Sequence, residues 1–379
     1  MNHRFLVFPL WQGSPVSCAH RGVGSRFSRK RCKARFIEFA RERTMLRVCI
    51  FGGGAIGGYL AAHLARAGRC EVSVVARGST LDAIRRHGLR VTTANETFTV
   101  PVRATSDTRE LGVQDYVFIT LKAHQVDEAL EQIAPLIGPR TTVLPPTTGI
   151  PYYFFHAFPG PFDGRQLPAL DRDGRQWRAI PPAQVLGCVY WIGAHASAPG
   201  VIVQDGAKAG CPVGELDGSD SPRVRALSEL LCASGIESKV NKDIRSAIWV
   251  KFVNSLAFNP VALLTQGTLG EMAEAGGVLN IVRAAMTEAD AIAAQLGLAI
   301  GPAPDRRIAL TVGASNHKMS MLQDLEAGRP LELEPLSRSI RALRDLKDVD
   351  TPVLDAVLAM AQLRAVTAAH ALKTQEQHA

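Results

Sequence analysis

The chain runs to 379 residues, 46% of them hydrophobic, 21% charged and 6% aromatic, with a formal net charge of +8. That length holds roughly two or three folding units, and the apolar share excludes wholesale disorder and a collagen-like chain. No run approaches the ~18–20 uninterrupted apolar residues of a membrane helix, which argues against a spanning protein.

The excess charge belongs to the first segment alone. Residues 1–44 hold ten Lys or Arg against two Glu, so the remaining chain carries 33 of each sign and is neutral. An Arg-rich, acid-poor leader reads as a transit peptide, a nucleic-acid arm, or upstream sequence joined by a mistaken start codon. Met45 stands directly before a strand-like run, which favours the mistaken start. Residues 1–44 are therefore expected to be no part of the fold, and no nucleic-acid partner is expected. The seven cysteines are scattered, none in a CxxC pair. Reduced thiols in a cytoplasmic protein fit them better than a disulfide framework or a metal site, and no metal is expected.

Leu46 to Phe51 is a short apolar, β-branched run, the pattern of a strand buried on both faces. Ile56, Leu60, His63, Leu64 and Ala67 recur at helical spacing and the run stops at Gly68. Strands are expected again at Glu71–Ala76 and Tyr116–Leu121, with a helix near Val126–Leu136. Strands alternating with helices of this length indicate a parallel sheet covered on both faces. Eight prolines between residues 141 and 182 mark a loop-rich stretch, followed by strand-like runs at Val185–Ile192 and Val201–Val203. After the polar stretch Leu216–Pro222 the pattern is helical through Leu363. The expected architecture is α/β: a Rossmann-type doubly wound parallel sheet over 45–218, then an all-helical C-terminal domain over 219–371. A polar tail, 372–379, is expected to fray.

Gly52-Gly53-Gly54-Ala55-Ile56-Gly57 is a GxGxxG directly after a strand and opening a helix. Such glycines permit the turn, the approach of a pyrophosphate and close helix–strand packing, while the helix N-terminus offers N–H groups to the anion. Arg77 ends the second strand where an acid would bind the ribose of NAD, and no Asp or Glu occurs before Asp82. A guanidinium there suits a 2′-phosphate, hence NADP(H). Lys122 follows a buried strand at the edge where open sheets bind ligands. Lys251 interrupts an apolar helical pattern, with Ser255 about 40° and Asn259 about 80° round the same face. A lysine among apolar neighbours is a usable proton donor, since desolvation lowers its pKa. Glu332 and Glu334 fall near a helix N-terminus after Gly328-Arg329-Pro330, where a carboxylate is expected to stay ionised.

Together these motifs resemble the ketopantoate reductase (2-dehydropantoate 2-reductase) family, from about Met45 to Leu363. The resemblance implies an NADPH-dependent enzyme with a Rossmann domain and a helical substrate and dimerisation domain. It implies cofactor contacts from Gly52, Gly54, Ala55, Ile56, Gly57 and Arg77, and from Lys122 and Gln125 in Leu121-Lys122-Ala123-His124-Gln125. It implies catalysis by Lys251 with Glu332, and substrate contacts from Asn259 and Ser320, the latter in Ser320-Met321-Leu322-Gln323-Asp324. Two positions depart from the family: Thr148-Gly149 stands for its Asn-Gly beside nicotinamide and substrate, and Ser255 for an asparagine four residues after the lysine. Both lose amide contacts, so the substrate is less constrained than the chemistry. The segment from Pro151 to Trp177 resembles that of a long-looped subgroup and is expected to reshape the pocket.

The reading that follows is NADPH-dependent reduction of a small 2-oxo acid, ketopantoate to pantoate in pantothenate biosynthesis. Its rivals are the same fold acting on another 2-oxo acid and a non-catalytic NADP(H)-binding sensor. The expected partner is a small molecule, without nucleic acid or membrane; a homodimer is left open.

Overall fold

The computed structural model describes residues 45–313 and 317–378, so the expectations for the leader and for the final residue fall outside the described residues. The chain enters as β1 (Leu46–Phe51), turns into α1 (Ala55–Ala67), returns as β2 (Cys70–Val75) and crosses through α2 (Gly78–His87). A hairpin of β3 (Leu89–Thr92) and β4 (Thr97–Val100) and the short β5 (Arg103–Thr105) precede β6 (Tyr116–Ile119), α3 (Val126–Ile133) and β7 (Thr142–Leu144). Five strands form an all-parallel sheet in the order β5-β2-β1-β6-β7. The order reverses between β1 and β6, which opens a crevice beyond their carboxyl ends.

The sheet is buried on both faces because β1 alternates two apolar sets. Val48 and Ile50 join a core with α1 and β3, whereas Cys49 and Phe51 join a second core with α3 and the helices that follow. α1 stops where expected: Gly68 caps it in the left-handed region at φ 63°.

Beyond β7 come α4 (Arg175–Ala179), β8 (Gly187–Cys188), β9 (Trp191–Ala198), β10 (Val201–Gly210), β11 (Val213–Gly214) and α5 (Pro222–Ala233). The single strand expected over 185–192 is divided: β8 pairs with β11, and β9 with β10. Pro212 lies at the break. Its carbonyl accepts from the Val189 N–H at 3.2 Å, but proline has no N–H to return. α5, which composition assigns to the helical half, packs instead against α1 and β11, and its Val224, Leu227 and Leu231 lie in the α1 core.

The all-helical part then begins with α6 (Ile244–Thr265), followed by α7 (Leu269–Glu274), α8 (Gly276–Gln295), α9 (Pro304–Val312), α10 (Ser320–Glu326), α11 (Leu333–Asp345) and α12 (Pro352–His378). The tail expected to fray continues as the last turns of α12. α6 has the length and apolarity of a membrane span, yet 72% of that window is buried inside the protein against α8, α10, α11 and α12. The aromatic segment after Pro151 packs behind α6. Phe154 stacks obliquely on Trp249, which two residues along the helix puts about 200° away from Lys251. Arg245 fixes this buttress by donating to the carbonyls of Phe154, His156 and Leu216, each at 2.9 Å. The segment therefore supports α6 on the side away from Lys251.

Candidate active site

The glycine turn sits at the carboxyl end of β1. Gly52 has φ +123°, and a Cβ at Gly57 would stand 1.9 Å from the Gly52 carbonyl oxygen, so neither position tolerates a side chain. At Gly54 a Cβ would meet nothing within 4 Å, so open space lies on the side a pyrophosphate needs. The Ala55, Ile56 and Gly57 N–H groups precede the first intrahelical bond, from Gly58 N–H to Gly54 O at 2.7 Å. α1 has no side-chain cap and no acid in its first turn. Arg77 is exposed at the end of β2, and α2 behind it likewise begins without an acid. Uncapped N–H groups, an open glycine and a cation at the strand end fit a nicotinamide dinucleotide.

Thr120 links this turn to the second half. Its hydroxyl donates to the Gly52 carbonyl at 2.9 Å, and the chain continues directly into Lys122 and Ala123. The Ala123 N–H donates to the Glu332 carboxylate at 3.3 Å, and the Thr148 hydroxyl donates to the same group. Glu332 stands at the N-cap position of α11 but caps nothing; its side chain reaches into the cleft. Burial pushes its carboxyl up, against the pull of the Ala123 N–H, Lys122 and Thr148. Desolvation thus works against the ionised form that the helix end favours, and the Ala123 N–H, Lys122 and Thr148 work for it.

Lys251 projects from α6 toward that carboxyl, and its Nζ lies 5.1 Å from the centroid of the Trp191 ring. Burial lowers the ammonium pKa and the Glu332 charge opposes the shift. His317, just before α10, also has its imidazole pushed down by burial; Asp205 opposes and Lys251 adds to it. Ser255 is half-buried one turn beyond Lys251, while the neighbouring Asn254 has a buried Oδ1 with no partner among the described residues.

Other sequence-predicted residues have protein partners. Lys122 Nζ donates to Asp324 at 2.6 Å and to the Pro330 carbonyl at 2.9 Å, tying the sheet edge to the helical half. The Gln125 side-chain oxygen accepts from the Lys122 N–H at 3.2 Å. Asn259 is buried: its oxygen accepts from the Met321 N–H at 3.1 Å and its amide donates to Ser255 O at 3.1 Å. It thereby sets the start of α10, where Ser320 is exposed. Sequence reasoning missed Trp191, His317 and Asp324. Asp324 was visible inside a motif, but nothing local marks the other two, which reach the site only through the fold.

Comparison with known proteins agrees with this arrangement. Residues 48–151 match the model of ketopantoate reductase PanE/ApbA, and residues 243–365 that of its C-terminal domain. A 2-dehydropantoate 2-reductase of Mesorhizobium japonicum is 44% identical over 321 residues, 85% of this chain and 98% of the relative. A protein of the same name from Archaeoglobus fulgidus is 28% identical over 78% of this chain and 89% of its own length. Among solved structures, one from Ralstonia solanacearum assigned as a ketopantoate reductase superposes with TM-score 0.79 at 39% identity, covering 86% of this chain and 99% of the other.

Proposed function

The chain belongs to the ketopantoate reductase family, and from that premise we propose that it reduces 2-dehydropantoate to pantoate with NADPH. The observation that carries the reading is Lys251, a desolvated ammonium that feels the charge of Glu332, whose carboxylate accepts from the Ala123 N–H three residues after the Thr120 hydroxyl that bonds the glycine turn. When bound, the nicotinamide supplies a hydride to the substrate's C2. Gly52, Gly54 and Gly57 with the N–H groups of Ala55 and Ile56 would hold the pyrophosphate, and Arg77 would hold the 2′-phosphate that distinguishes NADPH. Lys251 polarises the C2 carbonyl and gives its proton to the forming alkoxide. Glu332 accepts from the substrate's distal hydroxyl and is itself held by Thr148 and Ala123. Ser320, at the open first turn of α10, takes the carboxylate, with the second N–H of the Asn259 amide behind it. Ser255 completes the polar stripe beside Lys251. Lys122 and Gln125 shape the strand end beside the glycine turn, where the nicotinamide would be held.

The five described cysteines are free thiols, which supports a reducing compartment, the cytoplasm. A homodimer would form on the outer face of α12, where Met360, Leu363 and Val366 are exposed.

The test is nicotinamide absorbance with ketopantoate and the full chain. NADPH should be consumed in preference to NADH, and ketopantoate in preference to 2-oxoisovalerate. Lys251→Ala should lower kcat/KM about 10²–10⁴-fold with NADPH affinity unchanged. A preference for NADH removes the role given to Arg77, and full turnover by Lys251→Ala removes the mechanism.

A further inference from the structure

We infer that Trp191 is a positioning residue for the proton donor: its indole face holds the Lys251 ammonium at the wall of the cleft and favours the charged form. The inference rests on the reading of Lys251 as that donor. Trp191 opens β9 in the α/β half and Lys251 belongs to α6 in the helical half, so the contact spans the cleft. The separation of 5.1 Å from Nζ to the ring centroid is within the range at which the ring quadrupole attracts a cation. Trp191 is half-buried and packs against the apolar core, and its backbone pairs in register with Gly210, which places the residue without help from Lys251.

Burial still lowers the Lys251 pKa although the Glu332 charge opposes it, so a further group that favours the ammonium has work to do. Glu332 approaches from the segment before α11 and its charge favours the ammonium, while burial raises its own pKa. His317 approaches from the segment before α10, and a proton there would repel the lysine. Asp324 of α10 is engaged by Lys122 and Arg329, and Asp290 of α8 by Arg307. An aromatic face attracts the ammonium without the desolvation cost of a second carboxylate.

The sign of the test follows from the direction of the reaction. Reduction needs the protonated lysine, so activity is lost as pH rises through its pKa, and the alkaline limb of kcat/KM reports that group. Trp191→Leu keeps an apolar wall and removes the π face, which favours the neutral amine. The alkaline limb should move down by about one pH unit, and by less in Trp191→Phe, which retains a weaker ring. Should the Leu variant fail to fold, the Phe variant reads the same shift at smaller size. A limb that stays in place in either folded variant overturns the inference. So does an equal fall in kcat/KM at every pH, the mark of a merely structural wall. Lys251→Ala run alongside separates the two levels: an inactive Lys251→Ala with an unmoved limb in the Trp191 variants overturns only the role of Trp191. An active Lys251→Ala overturns the donor and its positioning together.

Discussion

A carboxyl group withdrawn from water favours its neutral form unless donors compensate, and at Glu332 the Ala123 N–H and the Thr148 hydroxyl compensate only in part. With the folded pKa raised above the unfolded value, the native state binds more protons. Stability is then fully present below the ordinary carboxyl range and is lost as pH rises through the folded pKa. Glu332→Gln removes that loss. At neutral pH the variant should unfold at a higher temperature than the parent, and the difference should vanish toward pH 4. Its kcat/KM should fall about 10–100-fold, the worth of one charge-assisted hydrogen bond. Scanning calorimetry at both pH values with steady-state kinetics checks this; a variant less stable at neutral pH means that the carboxylate is a net stabiliser. Lys251 was legible because a charge inside an apolar helical pattern breaks the pattern it sits in. Trp191 was not: an aromatic residue at the end of the strand-like run Val185–Ile192 reads as core, and its partner is sixty residues away.

Among the elements, those that repeat one strong period were read to within a residue or two. α1 has the expected bounds, and β2 is displaced by one residue. The helix expected to reach Leu136 ends at Ile133 because Pro135 tightens the last turn into a 3₁₀ helix. The β3–β4 hairpin and β5 were missed, since each strand spans only three or four residues, too few to establish a period. α5 shows the limit of composition, which ranks it with the helices that follow although its apolar face lies against α1. The glycine turn permits a sharper test of element geometry. Gly57→Ala drives a Cβ into the Gly52 carbonyl, so α1 must shift from β1, and stability should fall by about 1–3 kcal/mol together with cofactor affinity. Gly54→Ala meets no protein atom within 4 Å. Its unfolding temperature should equal the parent's while NADPH binding weakens about tenfold or more, because only the approach of the pyrophosphate is blocked. Calorimetry and fluorescence titration measure the pair, and unimpaired binding by Gly54→Ala would place the pyrophosphate elsewhere.

At the scale of the molecule, the site exists only because two distant segments meet. Lys122 and Asp324 are 202 positions apart in sequence and 2.6 Å apart in the fold. The same seam holds Ala123 to Glu332 and the Ile150 N–H to the Ser339 hydroxyl at 2.9 Å. Each segment is recognisable alone as a motif, but a motif states which residues recur and not which of them bond to one another. Lys122 therefore reads as a ligand contact although its ammonium spans the seam, with Asp324 12% exposed and its own side chain 30% exposed. Asp324→Asn keeps the shape of the side chain and removes its charge from Lys122 and Arg329 together. Hydrogen bonds to charged groups contribute about 1.5–3 kcal/mol each, so the unfolding temperature should fall by several degrees. The tie holds the cleft walls before the reaction begins and touches no reacting atom. The ketopantoate KM should therefore rise while kcat changes less. Salt screens the partly exposed pair, so raising ionic strength should move the parent toward the variant and leave the variant nearly unchanged. If Asp324→Asn keeps the parental KM and unfolding temperature, the seam is closed by Glu332 and Ser339 alone, and Lys122 is free to be the cofactor contact its motif suggests.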